Sequence, residues 1–323
     1  MTVGVVLMAY GTPRAPEEIE PYYTDIRRGR PPTPEALADL TARYAAIGGV
    51  SPLGALTAAQ RDAIQAALDE RAPGTFDVVL GMKHTDPRVE AVARTAVEGG
   101  ADVVVGLVLA PHFSSFSIGD YLARCRAGIE AADTAAGSPA GTAAGPEVEL
   151  RGIQSWATEP ALVAFLADDL GRRVAAMRAA TGRGVRVLFT AHSLPQRIID
   201  GGDPYPDELR ATAEAVADRL DVRDWSIAWQ SAGRTPEPWI GPDILQVNDE
   251  LGSSDEYGGV IVCACGFVAD HLEVLYDLDI EARQRAESHG LAFARTACVN
   301  DDPAVMAALA ARIHELADPI AQA

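Results

Sequence analysis

Basic residues are scarce in this sequence: Lys and Arg number 27 against 46 Asp and Glu, a formal net charge of −19 over 323 residues. Proteins that wrap nucleic acid or rest on an anionic membrane need a positive footprint, so neither partner is expected. Long apolar runs are missing as well. None reaches the roughly 18 residues of a membrane span, and the opening MTVGVVLMAYGTPR has no basic segment ahead of its apolar stretch. Integral membrane contact is therefore not expected, and the cytoplasm is the expected location. Cysteine is sparse: Cys125, Cys263, Cys265 and Cys298 are too few and too scattered for a disulfide framework, which leaves buried, reduced thiols as the expectation. HExxH, paired CxxC and EF-hand spacings are absent, and no phosphate-binding glycine motif stands beside an apparent strand. Neither a closed structural metal site nor a nucleotide loop is expected.

What is present is the composition of a folded protein, 48% hydrophobic and 23% charged, with length for about two ordinary domains. Short β-rich apolar runs alternate with stretches of helical periodicity, the pattern of α/β units on a parallel sheet. Eight strands are predicted, near residues 3–10, 76–83, 102–110, 148–155, 185–192, 226–230, 259–266 and 291–297. Four strands in each half suggest two similar Rossmann-like lobes, each a four-stranded parallel sheet flanked by helices. The N-terminal lobe is expected over residues 1–155 and the C-terminal lobe over 156–302, with the final segment 303–323 packing back on the first. Small residues punctuated by Gly and Pro over 131–147 predict a helix end and a surface loop.

In open parallel sheets ligands bind beyond the carboxyl ends of the strands. The residues expected there are polar or aromatic: Tyr10, Lys83, His84, His112, Trp156, His192, Ser193, Gln230 and Phe267. Past the seventh predicted strand, GFVADHLEVLYDLDIEARQR predicts a helix on which Glu273, Asp277 and Glu281 recur at i, i+4 and i+8. Acids stacked on one helical face repel, so the face is either solvated or offered to a cation. Val268, Leu272, Leu275 and Tyr276 are expected to anchor the opposite side. Cys263 and Cys265 are expected on one face of the seventh strand. Arg27, Arg28 and Arg30 cluster in YYTDIRRGR, expected as an ordered loop whose guanidinium forks suit carboxylates. Gly48 and Gly49 predict a tight turn ahead of Ser51.

In order along the chain, VLMAYGTPRAPEEIEPYYTDIRRGRPP, RYAAIGGVSPL, GMKHTDP, APHFSSFS, FTAHSLP, GDPYPDEL, WQSAGRTPEPWIGPD and GFVADHLEVLYDLDIEA resemble the ferrochelatase family, specifically its monomeric bacterial branch acting on coproporphyrin III. FTAHSLP with GFVADHLEVLYDLD is the most specific part of a likeness that spans essentially the whole chain. The resemblance implies two α/β lobes with a porphyrin cleft between them. It implies a lyase of haem biosynthesis that inserts ferrous iron into a porphyrin, with iron as substrate and no cofactor required. His192 and Glu273 match the catalytic pair, which with Asp277 and Glu281 forms the metal-contacting set. Tyr10 matches a tyrosine on the opposite porphyrin face, Lys83 and His84 match cleft residues, and Arg27, Arg28, Arg43, Tyr44, Ser51 and Tyr121 fall in segments around the propionates. Some relatives hold a [2Fe–2S] cluster through cysteines in a C-terminal tail; no cysteine follows Cys298, so no cluster is expected. A monomer meeting neighbouring haem-pathway enzymes only transiently is expected.

These residue types suit the chemistry. Insertion must strip water from Fe²⁺, remove two pyrrole protons and expose nitrogens that a flat ring keeps turned inward, which a rigid site promotes by positioning and strain. An imidazole with a reference pKa of about 6.5 can accept a proton near neutrality. Carboxylates are hard ligands that hold a hydrated divalent ion loosely enough to pass it on. The same residues are compatible with protoporphyrin IX as substrate, and a carrier that binds porphyrin or haem without insertion would keep the site but have no need of the outward acids.

Overall fold

The computed structural model describes residues 2–135 and 148–317. The predicted loop therefore lies outside the described residues over 136–147, and the helix before it runs Ile118–Ala135. Eight strands are present among the described residues, each end within three residues of its predicted bound: β1 (Val3–Ala9), β2 (Phe76–Met82), β3 (Val103–Val108), β4 (Glu149–Ile153), β5 (Gly184–His192), β6 (Trp225–Gln230), β7 (Tyr257–Cys263) and β8 (Ala292–Arg295). They form two four-stranded sheets, ordered β2-β1-β3-β4 and β6-β5-β7-β8. All pairings are parallel, and the two orders are the same when each half is counted from its first strand. Strands covered by helices on both faces lose the alternation of half-buried strands. β1, VGVVLMA, is buried at every position, whereas the edge strand β4 is buried only at Ile153.

The chain divides into two compact units: Met1–Ala110 with Ser115–Ser155 and Asn300–Ala323, and Pro111–Ser114 with Trp156–Val299. In the first unit the helix Pro303–Ala317 packs against the helix Leu53–Arg71 and strands β3 and β4, burying Val305, Met306, Leu309 and Ile313. Arg151 caps that helix by donating to the carbonyls of Leu316 and Ala317 at 3.0 and 3.2 Å. In the second unit His112 is buried, and its Nε2 lies 2.8 Å from Thr212 Oγ1. Since Thr212 Oγ1 donates to the Ala157 carbonyl at 2.7 Å, the imidazole is the donor to it.

One expectation about this framework is corrected. The stretch expected as a loop from Tyr22 is helical, Ile19–Ile26. Pro21 sits in its first turn, where no backbone N–H is required. The helix stops because Arg28 and Gly29 adopt φ of 57° and 79°, which places Arg27 at its C-terminus.

Candidate active site

In each sheet the first and third strands of the unit diverge to connections on opposite sides, and ligand sites form at such points beyond the strand ends. In the second unit these strands are β5 and β7. His192 ends β5, and its Nδ1 lies 2.5 Å from the Ser193 carbonyl. A carbonyl only accepts, so Nδ1 carries the hydrogen and the neutral ring presents a lone pair at Nε2. Nε2 stands 3.6 Å from Glu273 Oε1, within ion-pair range yet too long for a hydrogen bond. Both side chains keep about a third of their surface exposed, 35% and 32%. Tyr205 donates its hydroxyl to the His192 carbonyl at 3.2 Å and fixes the strand end.

After Cys263 the chain turns at once. The Cys265 N–H donates to the Cys263 carbonyl at 2.8 Å and the Gly266 N–H to the Thr190 carbonyl at 3.0 Å, so Cys265 lies past the strand and not within it as expected. A Cβ on Gly266 would stand 2.4 Å from Ala191 Cβ, so this crossing over β5 requires glycine.

The acidic segment is not the regular helix its spacing predicts. A single α-turn, Leu272–Leu275, leads into a π-helical turn, Asp277–Ala282, in which the Glu281 N–H donates to the Tyr276 carbonyl at 2.9 Å, an i to i+5 bond. In an α-helix a four-residue step overshoots a full turn, and in a π-turn it falls short. Joining the two keeps positions four apart in register. The apolar row is correspondingly Val274, Leu278 and Ala282, each 0% exposed, and not the expected Leu272, Leu275 and Tyr276, which are half-buried. Of the expected anchors Val268 alone is buried. The acidic row runs one residue ahead: Glu273, Asp277, Glu281.

Strand β6 and a neighbouring helix fix this turn. Gln230 donates to the Glu273 carbonyl at 2.9 Å, Ser231 donates to Asp277 Oδ2 at 2.5 Å, and Asn248 of the helix Ile244–Gly252 donates to the Ala282 carbonyl at 3.1 Å. A second imidazole, not singled out from the sequence, completes the surroundings of Glu273. His271 directs Nδ1 to the Ala269 carbonyl at 2.9 Å and Nε2 to Glu273 Oε2 at 3.7 Å. Burial works against its charged form, but Glu273, the Ala269 carbonyl and Asp277 together outweigh it and raise its pKa above the usual value. Its place two residues before Glu273 was the available signal; Ser231, far off in sequence, offered none.

In the first unit Tyr10, just past β1, is 41% exposed and packs against the rings of His84 and Tyr22 at 4.5 and 6.4 Å. His84 Nδ1 lies 2.7 Å from Asp25, which Arg88 grips with both Nη atoms at 2.8 and 3.1 Å. Burial, offset in part by Asp25, lowers the His84 pKa. Lys83 lies 2.9 Å from Asp120 and 5.0 Å over the ring of Tyr121. Tyr121 is buried, and burial with the charges of Tyr10 and Asp120 holds it as the neutral phenol. Arg27 is half-buried and Arg28 exposed, while Arg43 pairs with Asp39 at 3.2 Å. Tyr44 and Ser51 are buried: the hydroxyl of Tyr44 is 3.4 Å from Thr12 Oγ1, and Ser51 Oγ accepts from the Leu53 N–H at 3.2 Å. Gly48 and Gly49 form the turn between them at φ of 105° and 102°.

Comparison with known proteins gives this arrangement a lineage. A family model described as ferrochelatase matches residues 2–317. The chain belongs to the ferrochelatase family. Among relatives, a ferrochelatase of Herpetosiphon aurantiacus is 42% identical over 93% of this chain and 94% of its own. A coproporphyrin III ferrochelatase of Halalkalibacterium halodurans is 40% identical over 97% and 96%. The fold is shared more widely: the sirohydrochlorin chelatase SirB of Bacillus subtilis subspecies spizizenii, in complex with cobalt, superposes with a TM-score of 0.56 at 10% identity over 100% and 98% of the two chains. Among the described residues no three His, Cys, Asp or Glu side chains converge to cage a metal ion, and no helix is long and apolar enough to cross a membrane. All four cysteines are free and buried, Cys125 in the first unit and the others in the second. Burial pushes the Cys125 thiol up to about 12, against a small opposing pull from Arg126.

Proposed function

We propose that this ferrochelatase-family chain inserts ferrous iron into coproporphyrin III, forming the iron porphyrin of haem biosynthesis. The observation that carries the proposal is the pair His192 Nε2 and Glu273 Oε1, 3.6 Å apart, with His192 Nδ1 held by the Ser193 carbonyl and the Glu273 carbonyl held by Gln230. Both groups can accept a proton, as removal of the pyrrole hydrogens requires, and neither is consumed by a hydrogen bond to the other. His271 Nε2, 3.7 Å from Glu273 Oε2, flanks the carboxylate on the side away from His192 Nε2.

Asp277 and Glu281 continue the row from Glu273. Hard oxygen ligands spaced in a row, and not gathered into a cage, suit an ion that must shed water and move on. Iron is the substrate here, and the reaction needs no resident cofactor. For the porphyrin, Tyr10 offers an exposed ring and Arg27, Arg28, Arg43, Lys83 and His84 offer charge or hydrogen bonds to carboxylates, with Tyr44, Ser51 and Tyr121 supporting them from buried positions. Four propionates on coproporphyrin III draw on such groups more than the two of protoporphyrin IX, and the named coproporphyrin III relatives at about 40% identity support the same choice. A monomer in the cytoplasm is the working form proposed.

The test is anaerobic steady-state kinetics with Fe²⁺ and each porphyrin in parallel, followed by absorption and fluorescence. Faster insertion into coproporphyrin III is expected. Preference for protoporphyrin IX would overturn the substrate assignment, and binding without insertion would make the chain a carrier.

A further inference from the structure

Arg295 ends β8 with only 12% of its side chain exposed, and it holds two acids that bracket the catalytic segment in sequence. Its Nε and Nη2 donate to Asp279 Oδ1 and Oδ2 at 2.9 and 2.7 Å, a bidentate fork. The same Nη2 stands 3.1 Å from Asp270 Oδ1, and Nη1 donates to the Thr296 carbonyl at 2.9 Å. Asp270 precedes the α-turn and Asp279 lies inside the π-turn; Glu273 and Asp277 run between them. From the other side Arg283, packed 5.0 Å over the Phe293 ring, donates to the Asp279 carbonyl at 3.0 Å.

A π-turn is a rare winding that persists where its surroundings fix it. Gln230, Ser231 and Asn248 hold it on the side of β6, and the remaining ties lead to the end of β8. We infer that Arg295 is a positioning residue for iron insertion: by clamping Asp270 and Asp279 to the end of β8, it keeps the α-turn and π-turn wound so that Glu273, Asp277 and Glu281 stand in one row. The inference rests on the reading of that row as the route of iron. The clamp has a second consequence. Arg295, with Arg283 at 3.9 Å from Asp279 Oδ1, offsets the charge of Asp270 and Asp279, so they compete less with the row for the cation.

Removing Arg295 alone would take the main cation away from two partly buried carboxylates, which threatens folding. The experiment therefore uses Arg295→Lys, which keeps the charge but not the fork, and the triple variant Arg295→Met, Asp270→Asn, Asp279→Asn, which removes the clamp without stranding a charge. Hydrogen exchange is followed by mass spectrometry over residues 272–282, alongside insertion kinetics. Expected are amides of 272–282 exchanging at least tenfold faster in either folded variant with β5 and β7 unchanged, and a KM for Fe²⁺ raised at least fivefold at unchanged KM for porphyrin. Exchange and iron KM both as in wild type would overturn the clamp, as would a loss confined to kcat and porphyrin KM together. An inactive wild type would instead overturn the functional reading, while the exchange rates would still judge whether Arg295 holds the turn.

Discussion

Ser231 donates its hydroxyl to Asp277 Oδ2 across 2.5 Å from a backbone held at φ of 59°. Left-handed backbone is uncommon for serine, and strain of this kind tends to be retained where it aims a group. Here it turns the chain at the end of β6 so that the hydroxyl reaches the π-turn. Ser231→Ala should leave the fold intact and remove one tie that holds the Asp277 carboxylate in the row. A rise of about fivefold in the KM for Fe²⁺ is expected, equivalent to about 1 kcal/mol of lost positioning; an unchanged value in a metal titration at saturating porphyrin would refute the role.

His192→Ala should abolish insertion while porphyrin still binds. A positioned general base contributes about 10²–10⁴-fold, and the open Nε2 is the acceptor placed for that work. Fluorescence titration of porphyrin and single-turnover insertion separate the two effects. Retention of more than about a tenth of wild-type kcat would remove His192 from this role.

Asp277→Asn combined with Glu281→Gln tests the row as an iron path without changing side-chain volume. The KM for Fe²⁺ should rise more than that for porphyrin, with kcat at saturating metal largely retained because Glu273 and His192 are untouched. Equal changes in both KM values would leave the row with no role in metal entry.

The buried His112 and the half-buried His271 of the second unit have opposite effects on stability as pH changes. Burial lowers the His112 pKa from 6.5 to about 3. Above pH 6.5 the ring is neutral folded or unfolded; below it the unfolded chain takes up a proton that the folded one refuses, so stability falls toward pH 3 by up to about 1.4 kcal/mol per unit. His271, with its raised pKa, contributes stability that is fully present below 6.5 and lost as pH rises through its folded value. Urea unfolding of wild type and His112→Gln from pH 8 to pH 4 should show the difference between the two narrowing as pH falls. Parallel curves would refute the assignment.

Reaction with a thiol reagent offers a check on the cysteines. All four are buried, so native protein should react slowly and denatured protein should yield four thiols. Purified protein should carry no acid-labile sulfide; stoichiometric sulfide with visible charge-transfer absorption would show a cluster.

Much of this was legible in the sequence because it depends on local pattern. Short continuous apolar runs rich in Val such as VGVVLMA read as strands buried on both faces, and their alternation with helical periodicity is the pattern of parallel sheets, so the eight strands were foreseeable. His192 could be picked out because a polar residue at the end of such a strand stands where ligands bind, and Glu273 because it heads a run of acids four residues apart. The four-residue spacing of Glu273, Asp277 and Glu281 was visible too, but its meaning was not. Periodicity read as a regular α-helix put the wrong residues in the core, because a π-turn is imposed by tertiary ties from Gln230, Ser231, Asn248 and Arg295, which come from distant strands and helices. Whether Arg295 is a surface charge or a clamp, and whether Cys265 belongs to a strand or to the turn beyond it, depended likewise on which backbone carbonyls and carboxylates folding brought within hydrogen-bond reach.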